Sequence, residues 1–207
     1  MAMQPPTVTS ELDASPMVSL ELCRKHLRVT PDAGSPPEHE DDTLILMYLS
    51  VAREFVEGYT GLALTERTVE CRIDKFPWAE ILLPGAPLIS VESVKYQDEG
   101  NIQQTVPSTD YVLDLIQQPG WLLPAVGKAW PGTLQVFQAV VISYTIGYSL
   151  YSDTQTHPLP RTLRHAVLLM LGHLYENREQ STEVSLQEIP LGIQALCDLW
   201  KIRKGMA

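Results

Sequence analysis

The stretch Thr43–Asp74, "TLILMYLSVAREFVEGYTGLALTERTVECRID", changes its period part-way, and that change decides the fold. In its first half Ile45, Leu49, Ala52, Phe55, Val56 and Tyr59 recur every three or four residues, the spacing of one face of an α-helix. The acids just before it favour a helix N-terminus, and Gly61 is a natural stop. In its second half Val69, Cys71 and Ile73 alternate with Thr68, Glu70, Arg72 and Asp74, as in a half-buried strand. A helix over Thr43–Tyr59 therefore hands over directly to a β region.

Working outward, Ser19 is placed to cap a short helix with Leu20, Cys23 and Leu27 on one face. Thr30–Asp42, "TPDAGSPPEHEDD", is a loop, since its prolines and glycine cannot continue a helix. Residues 1–17 are rich in Pro, Ser and Thr and read as an ill-ordered, flexible arm. On the other side, further strands are expected at Glu80–Leu83, Ile89–Gln97, Ile102–Val106, Tyr111–Leu115 and Val136–Tyr148. "QDEGN" (Gln97–Asn101) joins two of them as a hairpin, and "QQPGW" and "AWPG" are turns. After Pro160 the helical period returns in Leu163, Ala166, Val167, Met170, Leu171 and Leu174. A last short helix, near Ile193 to Arg203, places Ile193, Leu196, Cys197 and Trp200 on one side. The expected fold is α+β: a small bundle of three or four helices with an antiparallel β unit inserted between the second and third. Its segments are helices 18–61, β insertion 64–148, helices 159–203 and a tail 204–207.

The formal net charge of the 207-residue chain is −10, which excludes holding nucleic acid by phosphate neutralisation, because that needs clustered Lys and Arg. The three cysteines form no CxxC pair, so a zinc ribbon is excluded and a disulfide framework is not expected. No apolar run approaches the roughly eighteen residues of a membrane span. No charged n-region precedes an apolar stretch, and synthesis in the cytoplasm is the expectation.

The densest polar cluster is "MLGHLYENRE", Met170–Glu179. His173 and Glu176 share a helix face, but a metal site needs at least a third ligand. His165 is about 12 Å away along the helix, too far to share an ion with His173. No HExxH, GxSxG, SxxK, GxxxxGK[ST] or GxGxxG pattern occurs, and no cofactor is expected. A hydrolase using His173 and Glu176 is the enzymatic alternative. The simpler reading makes Glu176, Asn177, Arg178 and Glu179 the polar end of a helix, either solvated or at an interface rim. Gly172 in mid-helix costs about 1 kcal/mol against alanine; either close approach of another backbone offsets that cost, or the glycine is simply tolerated. Trp78, Trp121 and Trp130 stand beside Pro or Gly as core or turn-covering residues, whereas Trp200 either folds back or anchors in a partner's pocket.

Taken in order, the segments Val18–Val29, Glu40–Leu64, Leu83–Asn101, Val140–Tyr148, Leu159–Glu179 and Ile189–Arg203 carry "HLRV…DD", "AREFVEGYTGLAL", "ISYTIGY" and "HLYENRE…PLGI". This arrangement resembles the head–tail connector, or adaptor, proteins of long-tailed bacteriophages, prophages and related gene-transfer particles, over about residues 18–203. The loop Thr30–Asp42 is longer and more Pro-rich than that resemblance implies, and the N-terminal arm matches nothing in it. The resemblance implies a non-enzymatic virion protein, made in the host cytoplasm and built into the head–tail junction. Copies would form a homo-oligomeric ring, dodecameric in the virion, beneath the portal protein. The ring would pass DNA without binding it specifically, have no membrane contact, and present a platform to a stopper or tail-completion protein. Because the family's C-terminal segment commonly contacts the portal, the resemblance makes Ile189, Leu191, Ile193, Leu196, Trp200 and Arg203 the portal-docking candidates. Gly172, His173, Glu176, Arg178 and Glu179 are the candidates for a contact between subunits. On this reading a chain cut before Ile189 stays folded but no longer joins portal-bearing heads. The alternative within the same setting is another neck component, a stopper or tail-completion protein.

Overall fold

A computed structural model describes residues 7–11, 17–32, 34, 38–148, 158–177 and 190–202. The fold is α+β, with four α-helices and two antiparallel sheets among the described residues. Two compact units divide the chain: a helical one from residues 15–64 and 158–207, and a β unit from residues 1–14 and 65–157.

In the helical unit, α1 spans Leu20–Leu27. Ser19 caps it as expected, its hydroxyl accepting from the Leu22 N–H at 3.3 Å. Arg28, at φ 57°, ends it. The long helix α2, Asp42–Thr60, buries Ile45, Leu49, Ala52 and Val56 along one stripe. Gly61 stops it in the left-handed conformation (φ 78°), donating to the Glu57 carbonyl at 2.8 Å. Helix α3 is Arg161–Glu176, with Leu163, Ala166, Val167, Leu168 and Leu171 buried, and α4 is Leu191–Asp198. Helix α3 packs against the other three. Polar ties gather where α2 begins. Arg24 of α1, almost wholly buried, lays its guanidinium fork on Asp42, with Nε donating to Oδ1 at 2.7 Å and a second bond to Oδ2. Tyr175 of α3 donates its hydroxyl to the neighbouring Asp41 at 2.5 Å.

In the β unit a five-stranded sheet has the order β1-β2-β8-β4-β5, and a smaller one the order β3-β7-β6. The strands are β1 Thr7–Glu11, β2 Arg67–Ile73, β3 Ile81–Leu82, β4 Leu88–Gln97, β5 Gln103–Thr105, β6 Tyr111–Asp114, β7 Trp121–Pro124 and β8 Val140–Ile146. The period-two reading of β2 holds: Val69, Cys71 and Ile73 are buried, and opposite them on β8 stand Tyr144, Ile142 and Val140. Tyr144 is fully buried, and its hydroxyl is satisfied by the Pro84 carbonyl at 2.7 Å. The hairpin at Gln97–Asn101 connects β4 and β5. On the other sheet face Glu92 of β4 accepts from Thr145 at 2.6 Å and from Thr68 at 3.3 Å, which explains why those two threonines interrupt the polar-out pattern. Gly147 ends β8 at φ 113°, and a Cβ there would stand 2.1 Å from the Thr65 carbonyl oxygen.

Three differences from the sequence reading stand out. Thr7–Glu11, placed in an ill-ordered arm, is a strand paired with β2, because the open β2 edge offers its ladder to any extended segment. Trp121–Pro124 is β7, although only Trp121 fell in the expected turn and no strand was expected there; its single buried residue, Leu122, leaves no alternation to detect. The strand expected over Val136–Tyr148 is shorter, since Gln138 takes a positive φ (58°) and its N–H bonds the Asp74 carboxylate at 3.0 Å.

Candidate interaction surfaces

The polar cluster at the end of α3 is held by its own helix. His173 is half-buried, its Nδ1 3.2 Å from the Asn177 side-chain amide, which also donates to the His173 carbonyl at 2.8 Å. Glu176 is exposed, while Arg178 and Glu179 lie outside the described residues. Among the described residues no three His, Cys, Asp or Glu side chains converge as a metal site would require. The neighbour of Gly172 is a side chain rather than a backbone: a Cβ would meet His26 Nε2 of α1 at 3.4 Å. Burial, followed by the proximity of His165, holds the His26 imidazole below its usual pKa, with a hydrogen bond to the Leu168 backbone and the charge of Glu176 acting the other way.

None of the thiols is poised as a nucleophile. Burial pushes Cys23 and Cys71 up to about 11 and raises Cys197 too, so all three are protonated at neutral pH. No helix among the described residues is long and apolar enough to cross a membrane.

Helix α4 divides the C-terminal candidates. Ile193 (2% exposed) and Cys197 (0%) face inward, Leu196 is half-buried, and Leu191 (78%) and Leu199 (70%) point out. Ile189 and Arg203 are outside the described residues. Trp200 folds back: its indole N–H donates to the Thr162 hydroxyl of α3 at 2.7 Å, although 40% of the residue stays exposed. The exit from α4 is clipped to the end of α2. Tyr59 donates to Asp198 at 2.9 Å, Lys201 Nζ sits 4.1 Å from the centre of the Tyr59 ring, and Ile202 N–H bonds the Thr60 carbonyl at 2.9 Å. These bonds weigh against the expectation that a chain cut before Ile189 keeps its fold. Such a chain loses two core residues and the bonds that close the helical unit.

Two exposed apolar regions were missed. On α2, Leu46, Met47 and Val51 stand out opposite the buried stripe. Their signal was present, since apolar residues occupy both faces of "LILMYLSV". In the β unit Phe76 stacks on Trp130, with centroids 4.9 Å apart and planes 4° from parallel. Trp130 donates to the Ala79 carbonyl at 2.6 Å, and the adjacent Trp78 is fully exposed. Phe137 is 90% exposed in the same unit.

The same architecture occurs in solved particle structures. Over 98% of its length the chain superposes on 97% of a chain in the virion of a native gene transfer agent (GTA) particle, with TM-score 0.71 and 24% identity. It matches a chain in the neck of an empty GTA particle, computed with C6 symmetry, over the same shares with TM-score 0.73 and 24% identity. A chain in the neck of a native GTA particle, computed with C12 symmetry, matches with TM-score 0.62 and 23% identity, covering 94% of this chain and 95% of that one. The chain shares its fold with chains of gene transfer agent particles. No protein-family model matches the sequence, and no curated protein does.

Proposed function

We propose that the protein is a structural, non-enzymatic component of the neck of a phage-like particle, an adaptor that assembles as a ring at the head–tail junction. The observation that carries this reading is a shared fold over nearly the whole of both chains, with partners drawn from necks computed with C6 and C12 symmetry. The segment order of the sequence supports it independently. The ring lies beneath the portal, counts twelve copies, extends the DNA channel, and receives the stopper or tail-completion protein. A net charge of −10 suits a conduit that must let DNA pass without gripping it. The helices act as one bundle that forms the ring body and carries the β unit as an insertion between α2 and α3.

Leu191 at the start of α4, with Leu199 and Trp200 just after it, forms the portal-docking face, while Ile193 and Leu196 hold that helix in place; Ile189 and Arg203 remain docking candidates by their place in the sequence. Gly172, His173, Glu176, Arg178 and Glu179 border a neighbouring copy. The test is light scattering of the purified protein, alone and with portal protein. A portal-dependent rise to the mass of a twelve-copy ring is the expected result. A protein that stays monomeric with portal present, at any ratio, overturns the reading.

A further inference from the structure

Strand β1 is separated in sequence from the rest of the β unit by residues 15–64 of the helical unit. It lies at the sheet edge and pairs with β2 alone, Thr7 opposite Glu70 and Val8 opposite Val69, and the register then slips between Val8 and Ser10. Thr7, Val8, Thr9 and Ser10 are all exposed. The Thr9 hydroxyl of β1 donates to the Thr68 carbonyl of β2 at 3.1 Å. The core of the unit is thus complete without these four residues. What they supply is a ladder for the β2 edge, whose N–H and C=O groups would otherwise stand open. Any strand of the same sequence fills that edge equally well, whichever copy it comes from.

The connectivity adds a second observation. Residues 1–14 belong to the β unit, but from Ser15 the chain belongs to the helical unit. The strand is therefore tethered to one unit and paired with the other. Six peptide steps from Glu11 to Met17 reach at most about 20 Å, so only an adjacent copy could receive it.

We propose that in the assembled ring β1 leaves its own β2 and pairs with β2 of the next copy, each subunit giving one strand and receiving one. This rests on the ring proposed above and names a contact that holds it. The bonds broken within a chain are remade between chains, so the exchange adds cohesion at little cost in ladder pairing. A closed ring leaves no β2 edge unpaired, whereas an open arc leaves one at its end, which favours closure.

The test uses cysteines at the facing positions Thr7 and Glu70. Glu70 gives up only a partly exposed ion pair with Arg72, and Cys23, Cys71 and Cys197 are buried. Copies carrying only Thr7→Cys are mixed with copies carrying only Glu70→Cys, assembled on portal protein, and treated with a short thiol-reactive bis-maleimide. Covalent dimers between the two variants are expected, and the double variant should give a ladder of multimers on a denaturing gel. Rings present by light scattering, with the double variant running wholly as monomer and the mixture giving no dimers, overturn the exchange and leave the ring standing. Absence of any ring overturns both.

Discussion

Gly172 of α3 faces the imidazole of His26 on α1, close enough that a methyl group at position 172 would lie 3.4 Å from His26 Nε2. That is ordinary van der Waals contact, so the glycine is not forced by space within the chain. Replacing it by alanine should stabilise the protein by up to about 1 kcal/mol through helix propensity. Urea unfolding reads this directly. A loss of stability would show that α1 and α3 pack more tightly than the 3.4 Å approach indicates. If Gly172 also borders a neighbouring copy, the same variant should assemble less well while being more stable.

The pH dependence of stability should carry the mark of His26. Its pKa is lowered from 6.5 in the fold, so the unfolded chain takes up the proton more readily. Stability from neutral His26 is fully present above pH 6.5 and is lost as pH falls through the lower folded value. Unfolding midpoints measured between about pH 8 and 5 should fall in the wild type and flatten in His26→Gln. Equal slopes in both proteins would remove His26 as the cause. Asp42, held low by its bond to Arg24, acts in a separate window: its contribution is present above pH 3.8 and is lost in stronger acid.

Gly147→Ala should be among the most damaging single changes in the β unit. At φ 113° the backbone disfavours any side chain, and the new methyl would collide with the Thr65 carbonyl at 2.1 Å. A cost of at least ~2 kcal/mol is expected from strain and displacement together. Thermal unfolding checks it, and a wild-type midpoint would contradict the geometry of the β8 exit.

The two faces of α4 should separate stability from docking. Ile193→Ala should cost about 2–5 kcal/mol, as for other buried isoleucines. Leu191→Ser with Leu199→Ser should change stability by less than about 1 kcal/mol, because both side chains are largely in solvent. The surface pair should instead weaken binding to portal protein at least tenfold in a titration. Undiminished binding by the surface pair would move the docking face elsewhere.

Much of this fold was legible from spacing alone. The stripe of Ile45, Leu49, Ala52 and Val56, the stop at Gly61, the Ser19 cap and the alternation through Val69, Cys71 and Ile73 all have short-range physical causes. The structure resolves those local rules into atoms. What escaped depends on partners distant in sequence. Strand β1 exists because β2 offers an edge nearly sixty positions away, and nothing in "TVTSE" announces it. The inward turn of Ile193 and Cys197, and the bond from Trp200 to Thr162, are set by α3 rather than by α4's own residues. Composition likewise gave no hint that Trp78 would stand in solvent while Trp130 stacks on Phe76. The cluster at His173 could be doubted as a catalytic site from sequence, because helix geometry kept its would-be ligands apart. Its bond to Asn177 became visible only in three dimensions.

The central claim is that this chain is the ring through which heads and tails join. The most direct measurement uses DNA-filled heads made without the protein, mixed with tails in the presence or absence of the purified chain, and scored by electron microscopy. Tailless heads alone, and tailed particles with a ring of density at the portal vertex once the protein is added, are the predicted outcome. Heads that acquire tails equally well without it would contradict the account.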